Sequence, residues 1–235
     1  FSTAQEVLTG ISEKWPTGNR VHFIVTSSGF VDFDWEEPDT KILDNWNPDS
    51  NFIDKLRLVA EKRCKSLIND ELRDKLYLHA DYLSIGIDSE KYNKLHYPDC
   101  WPFYPHIEFV ALINLKNNHY YWTGKSYPQK EQEKGLIRNN NISNHFIDLP
   151  QGKILLLACN DLVMEYPRGI KATKTGSPRD RIKKEFELAL HEAKPSVVLH
   201  HAHTSNDPLI WRTSLNHLQE IEPSVCRGVL VLLAS

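Results

Sequence analysis

Three side chains at the ends of apolar runs could do covalent chemistry together. Cys159 follows the run ILLLA at 154–158 and precedes Asn160-Asp161-Leu162. A thiol where a strand of an α/β sheet ends stands where catalytic groups gather. It acts as a nucleophile when a neighbour takes its proton or supports its charge. Set against this is the role of most free cysteines, a small buried hydrophobe. Lys125 follows the run HYYWT at 119–123 and Gly124. A lysine there can turn inward and stabilise an oxyanion, or sit solvated in a loop. The string Thr123-Gly124-Lys125-Ser126 lacks the first glycine of a phosphate-binding loop. Asp88 closes the run YLSIGI at 82–87. Its carboxylate can serve as a general base or cap a turn with Ser89. Glu131 and Glu133, shortly past Lys125, could orient the lysine or the thiol, or be solvated.

A rival constellation is the string Leu199-His200-His201-Ala202-His203. Alternate residues of a strand share a face, so His201 and His203 would point together and His200 away. Such a pair can hold a metal, with Asp161, Asp207 or Asp88 adding ligands, or it can line a polar pocket through hydrogen bonds. Arg168, just past Tyr166-Pro167, could meet a substrate carboxylate or remain a surface charge. Arg179 and Arg181 read as surface charges. The ring-rich stretches at 35–46 and 97–104 read as loop anchors, because exposed rings without a partner are costly.

These groups need elements to position them. Residues 21–27 alternate as a strand and run into a turn at Ser28-Gly29. The acidic, proline-rich stretch 32–50 reads as a loop. Asp49 or Ser50 can cap a helix whose apolar positions, from Ile53 to Ile68, recur at three and four, and which is expected to reach Leu76. A short helix is expected over 3–12. Strands follow at 82–87, 106–115, 119–123, 145–149 and 153–158, with Asn117-Asn118 turning one hairpin and Pro150-Gln151-Gly152 the next. A helix runs from Ile182 to Ala193, a strand over 197–203, a helix capped by Asp207 with Pro208 at its first position, and a last strand at 228–233. Stretches 90–105 and 124–144 read as loops. The order is that of an α/β chain with hairpins and crossovers.

The whole composition narrows the classes. The 235 residues are 40% hydrophobic and 25% charged, enough for a packed core. The longest apolar runs are far too short to cross a bilayer. A net charge of −3 supplies no basic field for a nucleic-acid backbone. The four cysteines form no C-x-x-C pair and are read as reduced thiols of a cytoplasmic protein. No secretion signal is written at the start, and a chain beginning at Phe1 is expected to be a processed or trimmed product.

The run Gly152-Lys153 through Cys159-Asn160-Asp161, with Tyr166-Pro167 beyond it and Lys125 earlier after a hairpin, resembles the carbon–nitrogen hydrolase (nitrilase) superfamily. The resemblance is one of element order and sparse motifs over residues 21–235. It implies a four-layer α-β-β-α sandwich, read here as a single domain over 1–235 that lacks closing C-terminal strands. It implies cysteine-dependent hydrolysis or acyl transfer at a non-peptide C–N bond of a small amide or nitrile, through a thioester. Cys159 would be the nucleophile, Lys125 the oxyanion partner, and Asp88 the base in place of the family's glutamate, one methylene shorter. Glu133 would be the second glutamate, with Asn160, Asp161, His201, His203 and Arg168 near the substrate. No metal or organic cofactor and a sheet-on-sheet homodimer are also implied. Two other functions remain open: a metal-dependent hydrolase or phosphoesterase using His201 and His203, and a catalytically silent interaction or sensing module.

Overall fold

Two β-sheets stack face to face, and helices cover both outer faces. The computed structural model describes residues 2–16, 18–34, 50–89, 106–128, 135–167, 173–203, 208–225 and 227–231. The first sheet holds β1 (Val21–Val25), β2 (Val31–Phe33), β3 (Ala80–Ser89), β4 (Glu108–Asn114) and β5 (His119–Gly124). β1 and β2 both run parallel to β3, pairing with its first and last parts, and β3, β4 and β5 are antiparallel neighbours in turn. The second sheet runs β6 (Phe146–Leu149), β7 (Gly152–Leu157), β8 (Val197–His201) and β9 (Arg227–Val231), with β7, β8 and β9 parallel.

The apolar pattern explains the layers. Strand residues of one parity meet between the sheets, where Tyr82, Val110 and Leu112 pack against Ile154, Leu156 and Leu199. The opposite parity of the first sheet packs under α1 (Ser2–Lys14), α2 (Ser50–Leu67) and α3 (Asp70–Tyr77). The outer face of the second sheet packs under α4 (Pro178–Ala193) and α5 (Pro208–Ile221). Fully burying one Leu or Ile is worth ~1.5–3 kcal/mol, so three such layers supply most of the driving force. This is the α-β-β-α order expected from the sequence. None of the described helices is long and apolar enough to cross a membrane.

Three local expectations are corrected. The helix expected to run unbroken to Leu76 is two helices. Asn69 stops it, because its side-chain oxygen accepts the Leu72 amide at 2.9 Å and caps α3. β2 stands where the sequence predicts the start of a loop, because three residues carry too little periodicity to register. β3 continues through Asp88 and Ser89 rather than ending before them. The asparagine turn behaves as expected, with Asn118 left-handed at φ 57°. The caps at Asp49 and Asp207, and most of the stretches 32–50 and 90–105, lie outside the described residues.

Candidate active site

Sheet register places three charged residues in one row. Asp88 on β3 sits opposite Glu108 on β4, and Phe109 sits opposite Gly124 on β5. The Lys125 amide donates to the Glu108 carbonyl at 2.8 Å, carrying the ladder one step past β5. Glu108 has the parity of Val110 and Leu112, so its side chain points between the sheets. There Lys125 Nζ donates to Glu108 Oε1 at 2.6 Å, both side chains being almost wholly buried. Burial alone would raise the Glu108 carboxyl, but the charges of Lys125, His106 and His203 outweigh it and hold the group below its ordinary value. Burial likewise opposes the Lys125 ammonium, and the Glu108 and Cys159 charges more than restore it.

The second sheet contributes Cys159 and His203, each just past a strand end. Cys159 is buried, at 6% exposure. Its Sγ accepts the backbone amide of His203 at 3.4 Å, and its side chain acts on the charge of the His203 ring. The ring's Nε2 hydrogen-bonds Asp88 Oδ2, and its Nδ1 lies 4.0 Å from Glu108 Oε2. Burial works against a charged imidazole, yet the bonds to Asp88 and Cys159 and the carboxylate charges push His203 up to about 10. His203 is the exposed member, its side chain 32% accessible, so the site opens to solvent past this ring.

Two ties hold the sheet ends together. The Ser28 amide donates to the Ala202 carbonyl at 3.2 Å, setting the chain before His203 against the end of β1. Asp161 supplies the other. Its Oδ1 accepts the Ser126 and Tyr127 amides at 2.9 and 2.8 Å, and its Oδ2 accepts the Ala158 amide at 3.2 Å. Burial raises its carboxyl. One side chain thus links the segment carrying Lys125 to the one carrying Cys159. Gly86 permits the first tie, because a Cβ there would collide with the Ser27 and Ser28 backbone. Gly29, left-handed at φ 63°, would place a Cβ 3.2 Å from Asp88 Oδ2 and 3.5 Å from the His203 ring.

The expected site residues therefore part company. Cys159, Lys125, Asp88 and His203 converge. Asn160 is buried beside Cys159. Asp161 is fully buried and turned onto backbone amides, away from any substrate. His201 does not join His203. Its Nε2 bonds Ser84 Oγ at 2.8 Å between the sheets, and burial pushes the ring down to about 3. His200 points the other way as expected, bonding the Cys159 carbonyl at 2.7 Å and leaning on Trp211, with burial pushing it down to about 4. The alternative His201–His203 metal pair is thus not formed, since the two rings have different partners. Asp88, Glu108 and His203 do offer atoms within 4.8 Å of one another. In this structure the His203 ring is hydrogen-bonded to Asp88 and the Lys125 ammonium to Glu108. Glu131, Glu133 and Arg168 lie outside the described residues. Arg179 lies over the Tyr127 ring at 4.7 Å.

Glu108 was missed in the sequence. Its signal was present: one carboxylate opening an otherwise apolar strand, in phase with Val110 and Leu112. Such a charge must find a partner, since an unpaired buried carboxylate is too costly to keep.

No family model and no curated protein matches the chain. Among solved structures it is similar to an amidase from Nesterenkonia sp. AN1. With a mutant form showing acrylamide added to its active-site cysteine, identity is 11% over 87% of this chain and 60% of that one, with a TM-score of 0.41. The values are the same for that amidase after removal of its affinity tag. With a double mutant in complex with acrylamide, identity is 13% over 88% of this chain and 60% of that one, with a TM-score of 0.42. This chain thus spans about 60% of the length of those structures, and a likeness at this level assigns no activity.

Proposed function

We propose that the protein is a cysteine-dependent hydrolase or acyl-transfer enzyme acting on a non-peptide C–N bond of a small molecule. The observation that carries this is Cys159 at a sheet end, with a backbone N–H donated to its sulfur and two cationic side chains, Lys125 and His203, beside it. A thiolate is stable only where positive charge and N–H donors face it, and it is the thiolate that attacks carbon.

In this scheme Cys159 Sγ forms a bond to the amide or nitrile carbon, and the π-electron pair moves to oxygen or nitrogen. Lys125 faces that developing charge, held in place by Glu108. From an amide, the amine leaves with a proton and a thioester remains; from a nitrile, the thioimidate first adds water and then expels ammonia to give the same thioester, which water hydrolyses. Asp161 acts by holding Lys125 and Cys159 in register rather than by touching substrate. A displacement of 1 Å at such a centre costs about a hundredfold in rate.

The test is a screen of small amides and nitriles for released ammonia or amine, with the wild type against Cys159→Ser. Turnover with the wild type and a loss of about a thousandfold or more in the variant is expected, in the range for an essential catalytic group. Turnover that survives Cys159→Ser but is lost to a chelator would overturn the proposal in favour of metal chemistry. A folded protein whose Cys159 resists every electrophile would overturn it in favour of a silent module.

A further inference from the structure

Resting on the cysteine-hydrolase reading above, we infer that His203, anchored by Asp88, is the acid–base of this site. The assignment of the base to Asp88 itself does not fit the geometry. The Asp88 carboxylate is turned onto His203 Nε2 and onto Ser28 Oγ, 3.4 Å away. The His203 backbone amide lies 3.4 Å from Cys159 Sγ, and the thiol acts on the charge of the ring. Asp88 is therefore a positioning residue, fixing the ring and supporting its charge. The pattern is that of a nucleophile, a base, and a third group orienting the base.

The surroundings favour a standing imidazolium. Groups facing or acting on the ring are Asp88 from β3, Glu108 from β4, Asp32 from β2 and Cys159 after β7, with Lys125 after β5 bound to Glu108. Three carboxylates, Asp32, Asp88 and Glu108, thus act on the ring, while Lys125 and the His106 ring, 3.7 Å away, face Glu108. Glu108 Oε2, buried and without a hydrogen-bond partner among the described residues, faces His203 Nδ1. The same fold keeps the competing imidazoles neutral, with His200 and His201 pinned on Cys159 O and Ser84 Oγ.

The proton balance closes on this ring. The Cys159 proton passes to His203, giving thiolate and imidazolium. Sulfur attacks the amide carbon, and the carbonyl π pair moves to oxygen beside Lys125. When that pair returns, the C–N bond breaks, its electrons go to nitrogen, and nitrogen takes the proton of His203. Water then attacks the thioester, giving one proton to the now neutral ring. The C–S bond breaks with its pair on sulfur, restoring thiolate and imidazolium and releasing the acid.

The experiment is iodoacetamide labelling of each cysteine, followed by peptide mass spectrometry at pH 6 to 9, on wild type, His203→Ala and Asp88→Asn, with thermal unfolding as the control for folding. At pH 6 the His203→Ala variant is expected to label Cys159 at least tenfold more slowly than wild type, with partial rescue by added imidazole. Asp88→Asn is expected to fall between the two, without rescue. Labelling of Cys159 in His203→Ala that matches wild type at every pH overturns this inference and leaves the cysteine-hydrolase reading standing. Wild-type Cys159 that labels no faster than Cys64 overturns both. If His203→Ala does not fold, the His203 ring nitrogens are followed by NMR in wild type and Cys159→Ala. A changed titration supports the shared proton, and an identical one overturns it.

Discussion

Replacing Glu108 with leucine should destabilise the protein far more than the loss of one surface charge would. The side chains of Glu108 and Lys125 are 3% and 1% exposed, and their charged atoms are 2.6 Å apart. With an effective dielectric of about 20, that separation corresponds to roughly 6 kcal/mol of attraction, most of it offset by desolvation of the two ions. Glu108→Leu removes the attraction but leaves the Lys125 ammonium buried and unpaired. The expected loss is about 3–5 kcal/mol. Lys125→Met leaves Glu108 with His106 at 3.7 Å and His203 at 4.0 Å, so its cost should be smaller, about 2–3 kcal/mol. The double variant removes both charges and keeps the volume. It should be more stable than the sum of the single losses predicts, by about 3 kcal/mol. Urea unfolding followed by tryptophan fluorescence measures all four proteins, and the chain carries six tryptophans. Single losses that add to within about 0.5 kcal/mol would refute the claim that this pair is coupled in a dry site.

Stability should fall on the acid side through His200 and His201, whose burial pushes them down to about 4 and about 3. Their neutral forms favour the fold above the unfolded value of about 6.5, and that contribution erodes as pH drops from 6.5 toward 4, by about 2–3 kcal/mol per ring at pH 4.5. His203 has the opposite sign: pushed up to about 10, it contributes fully below pH 6.5 and loses its contribution as pH rises toward 10. Thermal unfolding from pH 4 to 8 should show a shallower acid limb in His201→Gln than in wild type, and equal limbs would count against the assignment. Gly86→Ala forces a Cβ into the backbone of Ser27 and Ser28 and should cost about 3 kcal/mol or more. Because that contact seats Gly29 beside Asp88 and His203, slower Cys159 labelling is expected too, and wild-type stability would refute it.

Much of the fold was legible because its signals are local. Strand alternation, the left-handed asparagine at the β4–β5 turn, and the apolar stripes of α4 and α5 follow from φ/ψ preferences and side-chain period. They are readable without knowing what lies opposite. The Asn69 cap and the three-residue β2 were missed for the converse reason. A cap hydrogen bond or a short edge pairing is decided by one contact, which leaves no period in the text.

The site divides along the same line. The amino-acid order alone marked Cys159, Lys125 and Asp88 as polar groups at strand ends, because a polar residue closing an apolar run is visible in one dimension. It could not show that Asp88, Glu108 and Lys125 share a row, since register comes from pairings between strands far apart in the chain. Nor could it separate His201 from His203, two residues apart and of the same parity. β8 ends between them, so one ring is locked against Ser84 between the sheets and the other reaches Asp88 at the open edge. Strand parity sets the direction of a side chain, but its partner and its charge depend on where the sheet stops and which carboxylates the opposite sheet presents, and only the stacking of the two sheets decides that.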